Sequence, residues 1–267
     1  MSDRVLIQIE EPAERSDEVE DVGLAIGLEL TPTGLLVAAS VGGNVELIGG
    51  AGSIEFIPAL AGYDAAGQLV LGHEGLADET DIGIEALADP EAPDARGLSL
   101  SDRLAALFET ARHKLTILVR RPIAGAVVLV PLDAPAAARV MLMQAVEAGG
   151  IEVRRLIESS VGLALGGGLD RAGAGSYLHL AALPNGLALA RLEVGDGIVR
   201  LAGGSAVRDP ADLPALLVAE APVMGLIAPG LADAGALAAR TGMRLLDGFD
   251  GPERAVVGAA LLAEALG

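Results

Sequence analysis

The stretch "SYLHLAALPNGLALARLEVGDG", Ser176 to Gly197, shows how this chain is organised. It contains an apolar run, a Pro-Asn-Gly turn at 184–186, a second apolar run and a Gly-Asp-Gly turn at 195–197. Apolar runs separated by such turn sequences are typical of antiparallel strands. The stretch therefore predicts a β-hairpin. Its tip has no carboxylate, glycine run or hydroxyl group, the features with which such hairpins often hold a ligand.

The composition predicts a core of small aliphatic side chains. The chain has 267 residues, of which 52% are hydrophobic but only 2% aromatic, and 36 of them are glycines. This length is sufficient for one large domain or two small ones with a buried core. Because the chain has no cysteine, disulfides, thiol catalysis and thiolate metal sites are excluded.

No apolar run reaches the roughly 18 residues that cross a bilayer. The longest one, at 115–132, is interrupted by Arg120, Arg121 and Pro122. The first 21 residues are acidic and lack the apolar segment of a signal peptide. We therefore expect a cytoplasmic protein without a membrane partner.

The formal net charge of −19 restricts the class of partner. Nucleic acids and anionic membranes are recognised by clustered cations, so neither is an expected partner. An acidic surface keeps a protein soluble, and it also suits a basic protein partner. The sequence thus favours a protein partner over a nucleic acid.

The order of predicted elements repeats along the chain. Short strands at 22–72 precede an acidic loop at 77–97 and a helix at 101–118 capped by Ser101 or Asp102. Strands and helices then alternate up to 169. A second β-rich block begins with the hairpin at 176–197 and is followed by a short connection at 203–222, a strand at 223–230, a helix at 231–241, a strand at 243–249 and a helix at 253–266. This repetition predicts two related lobes with a cleft between them.

Several segments resemble one family in the same order. The stretch at 127–169, "VVLVPLDAPAAARVMLMQAVEAGGIEVRRLIESSVGLALGGGL", is similar to the central segment of the nucleotide-binding domain of seventy-kilodalton heat-shock chaperones. The stretches "LEVGDGIVRLAGG" at 192–204, "ERAVVGAALLA" at 253–263 and "IPALAGYDAAGQLVLG" at 57–72 also resemble segments of that domain.

This resemblance implies an α/β fold of the two-lobed, actin-like ATPase (ribonuclease H-like) type. It implies a flexible acidic tail at 1–21, a first lobe at 22–170 and a second lobe at 171–267. Only about twenty residues separate Gly204 from Met224, where the family inserts a helical subdomain, and the excursion after Gly72 is also short. We therefore expect both outer subdomains to be reduced.

The motifs that hold ATP in the family are degenerate here. In the first phosphate loop, "GLELTPTG" at 27–34, Glu29 replaces an aspartate and a proline replaces a hydroxyl residue. The family's lysine falls at Leu76, and the aspartate of its second phosphate loop falls at Ala181. Gly27, Thr33 and Gly230 are weak remnants of the cofactor-binding positions. We therefore expect no ATP or magnesium cofactor and no resident metal.

Glu158 is the acidic position that the chain retains. We expect it either to orient a water molecule or to have a structural role. His73, His113 and His179 lack metal-ligand spacing and are expected at the surface or loosely packed. Ser159 and Ser160 have no base partner evident in the sequence, and we expect them to begin a helix.

The sequence therefore predicts a catalytically inactive, chaperone-like pseudo-ATPase that acts as a protein-binding adaptor or regulatory module. Two alternatives remain open. A divergent, working ATPase or chaperone would use Glu29 for magnesium and Glu158 for water. A self-assembling, actin-like structural protein would form homo-oligomers.

Overall fold

The structure is a computed structural model that describes residues 23–48, 57–72, 77–88, 96–183, 186–207, 209–220, 222–251 and 253–267. Several predictions lie outside these residues: the tail at 1–21, the positions His73 and Leu76, and the Pro-Asn pair at 184–185 of the hairpin turn. Within the described residues the chain is a mixed α/β protein, as the resemblance implies.

Thirteen strands and six α-helices make up the described elements. The strands are β1 Leu24–Leu30, β2 Gly34–Val41, β3 Asn44–Leu47, β4 Ile57–Pro58, β5 Leu60–Tyr63, β6 Leu69–Leu71, β7 Ala77–Asp81, β8 Ile123–Val130, β9 Glu152–Glu158, β10 Gly175–Leu183, β11 Gly186–Gly195, β12 Ile198–Val207 and β13 Gly225–Ile227. The helices are α1 Leu100–Val119, α2 Ala136–Ala148, α3 Ser159–Gly166, α4 Leu213–Ala219, α5 Ala234–Thr241 and α6 Arg254–Leu266. Short 3-10 helices cover Ile84–Ala88, Leu169–Arg171 and Pro210–Asp212.

The two larger sheets share one arrangement. The first has the order β3-β2-β1-β8-β9, with β4 also paired to β2, and the second has the order β12-β11-β10-β13. In each sheet three antiparallel strands form a meander, and the next strand is parallel to the first strand of that meander. A third, small sheet has the order β6-β5-β7.

The core consists of three apolar clusters that alternate with the sheets. One face of the first sheet packs against α1 and α2. The opposite face packs against α3 and α6, whose other side meets the second sheet. The far face of the second sheet packs against α4 and α5. The helix α6 therefore returns from the end of the chain to lie between the two sheets.

Alternation along β1 explains how one strand serves two of these clusters. Ile26 and Leu28 point into the cluster with α1 and α2, whereas Ala25 points into the cluster with α6. At Gly27 an added Cβ would collide with the main chain of Val256 and Ala260 in α6. Glycine is needed here because a helix backbone lies directly against the strand.

Four local predictions are wrong. The acidic segment at 77–97 includes β7, which pairs with β5, and a 3-10 helix. The cap of α1 is Ser99, whose Oγ accepts a hydrogen bond from the Asp102 amide. The connection at 203–222 contains the end of β12 and the helix α4. The expected strand at 243–249 makes only an isolated bridge between Leu226 and Leu245. Asp247 and Gly248, which disfavour β-structure, end its apolar run directly after Leu246.

No helix in the described ranges is both long and apolar enough to cross a membrane.

Candidate functional site: the groove between the two sheets

A groove of about 800 Å³ lies where the two larger sheets face each other. The strands β1, β8 and β9 are mutually parallel, so their carboxyl ends meet at one edge of the first sheet. Crevices outside the carboxyl ends of parallel strands are where α/β folds generally bind ligands. The second sheet closes the opposite side with β10, β11 and β12.

The walls of the groove are mostly apolar, and its polar groups are few. The apolar lining comes from Leu30, Pro32, Ile84, Leu87, Pro131, Leu132, Ala134, Pro135, Ala138, Ala181, Ala182, Leu183, Leu187, Ala206 and Val207. The ionisable lining consists of Glu29, Glu85, Asp133 and His179. Among the described lining residues there is neither a lysine nor an arginine.

Glu29 lies near the carboxyl end of β1 and is partly buried in the groove. The Ser159 hydroxyl donates a hydrogen bond to Glu29 Oε1 at 2.9 Å. Burial raises the pKa of Glu29 to about 7, although the bond from Ser159 acts in the opposite direction. Near neutral pH the protonated and the charged forms of this carboxyl group are therefore both populated.

His179 and Ser160 form a second polar pair at the groove, and here two predictions are wrong. His179 is buried, not at the surface, with 5% of its area exposed. Ser160, with 2% exposed, lies 2.9 Å from His179 between Oγ and Nδ1, so the serine does have a nitrogen base as partner. The sequence could not reveal this pair, because the two residues meet only when α3 packs against β10.

The Ser160–His179 pair does not have the properties of a nucleophile and its base. Burial lowers the pKa of His179 to about 4, because the charged imidazolium loses its hydration. A general base is most effective when its pKa lies near the working pH. The pair instead ties the start of α3 to the second sheet, while the adjacent Ser159 ties it to β1 through Glu29.

Glu158, the retained acidic position, lies at the end of β9 and is held by Arg139. The Nη1 atom of Arg139 is 2.8 Å from Glu158 Oε1, and both side chains are about a quarter exposed. The same guanidinium donates hydrogen bonds to the carbonyl oxygens of Ala134, Pro131 and Leu132. Glu158 thus orients an arginine that pins the loop after β8, which forms one wall of the groove.

The other sequence-predicted positions are dispersed. Ala181 lies in β10 on the groove wall, opposite Ala188 of β11. Gly27 faces α6, and Thr33 is exposed in the turn between β1 and β2. Gly230 lies in an exposed turn after β13, with a φ of +70°. Of the predicted catalytic and cofactor-binding positions, Glu29 and Ala181 are therefore the ones that line the groove.

A second groove, of about 660 Å³, runs along β3 and the end of α1. It contains none of the predicted positions. Within the described part of the chain, no three His, Asp or Glu side chains lie close enough to hold a metal ion together.

Comparison with known proteins identifies a distant relative of this chain. No protein-family model matches the chain. A chaperone protein HscA homologue from Bordetella petrii is 26% identical over 200 residues, which cover 64% of this chain and 32% of that protein. The chain is a distant relative of a chaperone. It spans about a third of the length of that relative. The match supports a distant kinship with the seventy-kilodalton heat-shock family.

Sequence reasoning missed Arg139, Ser159, Ser160 and His179 as parts of the site. The positions of Ser159 and Ser160 directly after β9 were a usable signal, because residues that follow parallel strands converge at one edge. Arg139 lies inside α2 and carried no such signal. His179 carried no such signal, since it lies inside a strand of the other sheet.

Proposed function

We propose that this chain is a catalytically inactive, chaperone-like pseudo-ATPase that works by binding another protein. The observation that carries the proposal is the charge of the groove: its described lining has three carboxyl groups, Glu29, Glu85 and Asp133, and no lysine or arginine. A triphosphate placed there would meet negative charge where phosphate-binding sites supply cations and amide groups.

The topology supports a two-lobed, actin-like fold with lobes at 22–170 and 171–267. Each large sheet has a three-stranded meander followed by a parallel strand, and both contribute to the groove. The reduced outer subdomains are part of the same proposal. Only α4 and a 3-10 helix are described between β12 and β13.

The residues present do not fit a magnesium–nucleotide complex. Glu29 accepts a hydrogen bond from Ser159, and within the described residues no three His, Asp or Glu side chains lie close enough to hold a metal ion together. Pro32 has no amide N–H to offer a phosphate. Ala181 presents a methyl group in place of a carboxylate. We therefore derive no catalytic step through ATP.

The geometry disfavours the alternative of a working ATPase that uses Glu29 and Glu158. Glu158 is ion-paired with Arg139 through Oε1 and is not among the described residues that line the groove. Glu29 is hydrogen-bonded to Ser159. Both acids have structural partners within the chain, which leaves protein binding as the better supported role.

We place the protein in the cytoplasm, with a protein partner and without nucleic acid, membrane or metal. The net charge of −19 supports a partner whose contact surface is basic. Homo-oligomers, as in a self-assembling structural protein, are the alternative that the same experiments can distinguish.

Calorimetric titration with Mg²⁺-ATP tests the first half of the proposal. We expect no binding at ligand concentrations up to about 1 mM. A dissociation constant of about 1 mM corresponds to a binding free energy of about −4 kcal/mol. Magnesium-dependent binding in the micromolar range would contradict a pseudo-ATPase. Hydrolysis that Glu158→Ala abolishes would establish the working enzyme instead.

Co-purification of the tagged full chain from its native cells tests the second half. We expect a stoichiometric protein partner that remains bound when Mg²⁺-ATP is added and is released by salt, which screens charges between the surfaces. A chain that recovers only copies of itself, with a sedimentation coefficient that rises with concentration, would support self-assembly and contradict the adaptor.

A further inference from the structure

The groove carries a charge imbalance with a defined arrangement. Glu85, on the 3-10 helix after β7, and Asp133, in the loop after β8, are exposed at its rim. Glu29 lies deeper and is partly buried. The rest of the described lining is mostly apolar and includes Leu132 and Leu183. An anionic ligand is disfavoured at such a site, whereas a cation on an apolar stem matches both the rim and the deeper carboxyl group.

The deeper carboxyl group makes a cation preferable to a neutral apolar ligand. A neutral ligand that filled the groove would remove water from Glu29 without replacing its lost hydration. An ammonium or guanidinium group would compensate the charged carboxylate with a hydrogen-bonded ion pair. His179 lies at the same groove, 95% buried, and its described hydrogen bond uses only Nδ1.

A strand edge runs into the same groove. The strand β12 is at the end of the second sheet's order, and Ala206 and Val207 near its end line the groove. Residues 202–206 are exposed, and 201–207, "LAGGSAV", contains no charged side chain. Strand edges in natural proteins are usually protected by charge, proline, β-bulges or short length. The strand β12 has a bulge at Ala202, and the stretch after it, 203–207, has neither charge nor proline, so this part of the edge can serve as a template for an added strand.

We propose that this groove binds an extended, apolar segment of a partner protein, which pairs with the edge of β12 and places a lysine or arginine against Glu29. The proposal rests on the proposed function, because it names the partner chemistry of that site. The backbone of the segment would supply affinity through strand pairing, and its cation would supply selectivity.

Fluorescence anisotropy with labelled peptides on the full chain tests this proposal. The probe is a nine-residue peptide with leucine and serine alternating around a central lysine, and its matched control has glutamate at the centre. We expect the lysine peptide to bind at least about tenfold more tightly than the glutamate peptide. Equal affinities, or no binding of either peptide, would overturn the proposal.

Three variants locate the site. Glu29→Gln keeps an oxygen that accepts the Ser159 hydrogen bond, and we expect it to weaken binding of the lysine peptide at least about fivefold. Ala206→Lys adds a cation at an exposed position of β12 and should abolish binding even if Glu29→Gln does not fold. Glu147→Gln removes one exposed charge from α2, outside the groove, and should change affinity by less than about twofold. Unchanged binding in a folded Glu29→Gln or in Ala206→Lys overturns the proposal.

The outcome separates this inference from the function on which it rests. If neither peptide binds but a stoichiometric partner co-purifies, the partner uses another surface and only this inference fails. If Mg²⁺-ATP binds in the micromolar range, the proposed function fails whatever the peptides show.

Discussion

At the scale of single residues, Glu29 and His179 respond to burial in opposite directions. Burial raises the pKa of Glu29 to about 7 and lowers the pKa of His179 to about 4, because each group loses hydration of its charged form. Both residues are also bonded to the start of α3, to Ser159 and Ser160 respectively. The pH dependence of stability should therefore carry a separate contribution from each.

We expect Glu29→Gln to reduce the loss of stability that occurs as the pH rises from 4.5 to 7. The folded chain keeps the Glu29 proton in this range while the unfolded chain releases it, so the stabilising contribution is complete below 4.5 and lost above about 7. At about 1.4 kcal/mol per pH unit the loss amounts to at most about 3.5 kcal/mol. Urea unfolding of both proteins at pH 5 and pH 8 measures it, and parallel pH profiles would contradict the prediction.

His179→Gln is the matched comparison, with the opposite sign. The unfolded chain takes up a proton on this histidine below pH 6.5 while the folded chain resists, so stability is lost as the pH falls from 6.5 to about 4. The variant should reduce that acid-side loss. A wild-type-like acid profile would show that the imidazole is not desolvated.

At the scale of secondary-structure elements, the contact between α3 and α6 depends on glycine. A Cβ added at Gly258 would collide with the Gly162 carbonyl and lie 2.6 Å from the Gly166 nitrogen. A Cβ added at Gly162 would lie 2.7 Å from the Ala255 carbonyl oxygen. The two helices therefore touch backbone to backbone, which leaves no room for any other residue type.

We expect Gly258→Ala to lower the free energy of unfolding by about 3 kcal/mol, because α6 must move away from α3. Gly235→Ala in α5 is the control, since a Cβ added there has no atom within 4 Å. That substitution should stabilise by about 0.5–1 kcal/mol through helix propensity. Chemical denaturation of the two variants distinguishes them, and equal effects would show that the helices are farther apart.

At the scale of the whole molecule, α6 connects the two sheets. Its residues Ala255, Val256, Ala259, Ala260 and Ala263 are buried in the cluster that contains the inner faces of both sheets. The last helix is thus part of the central layer, although it is the most distant element in sequence from β1. Its packing against β1 and β2 requires chain closure over more than two hundred residues.

We expect removal of 253–267 to abolish cooperative unfolding, because the inner faces of both sheets would be exposed to water. The control is Leu266→Asp at the end of α6, where the side chain is 44% exposed and the substitution should be tolerated. Differential scanning calorimetry of the two proteins checks this. A truncated chain that still melts cooperatively would show that α6 is peripheral.

The sequence by itself determined most elements and the class of the fold. The hairpin of β10 and β11, the helix α1 and the alternation of strands and helices follow from local patterns of apolar residues and turns, which act over a few neighbouring positions. The strand β7 and the helix α4 were not predicted, because acidic or proline-containing segments obscure such patterns. The replacement of the family's two aspartates by Glu29 and Ala181 was also evident in the sequence, because the resemblance aligns single positions of this chain with the family's motifs.

Only the tertiary structure decided what these residues contact. It placed Arg139 against Glu158, His179 against Ser160, and Glu29 beneath Ser159. It also decided that the groove has apolar walls and a described lining without lysine or arginine. The physical reason is that burial and hydrogen bonding depend on which elements pack together, and residues 19 to 130 positions apart in the chain carry no local signal of their contact.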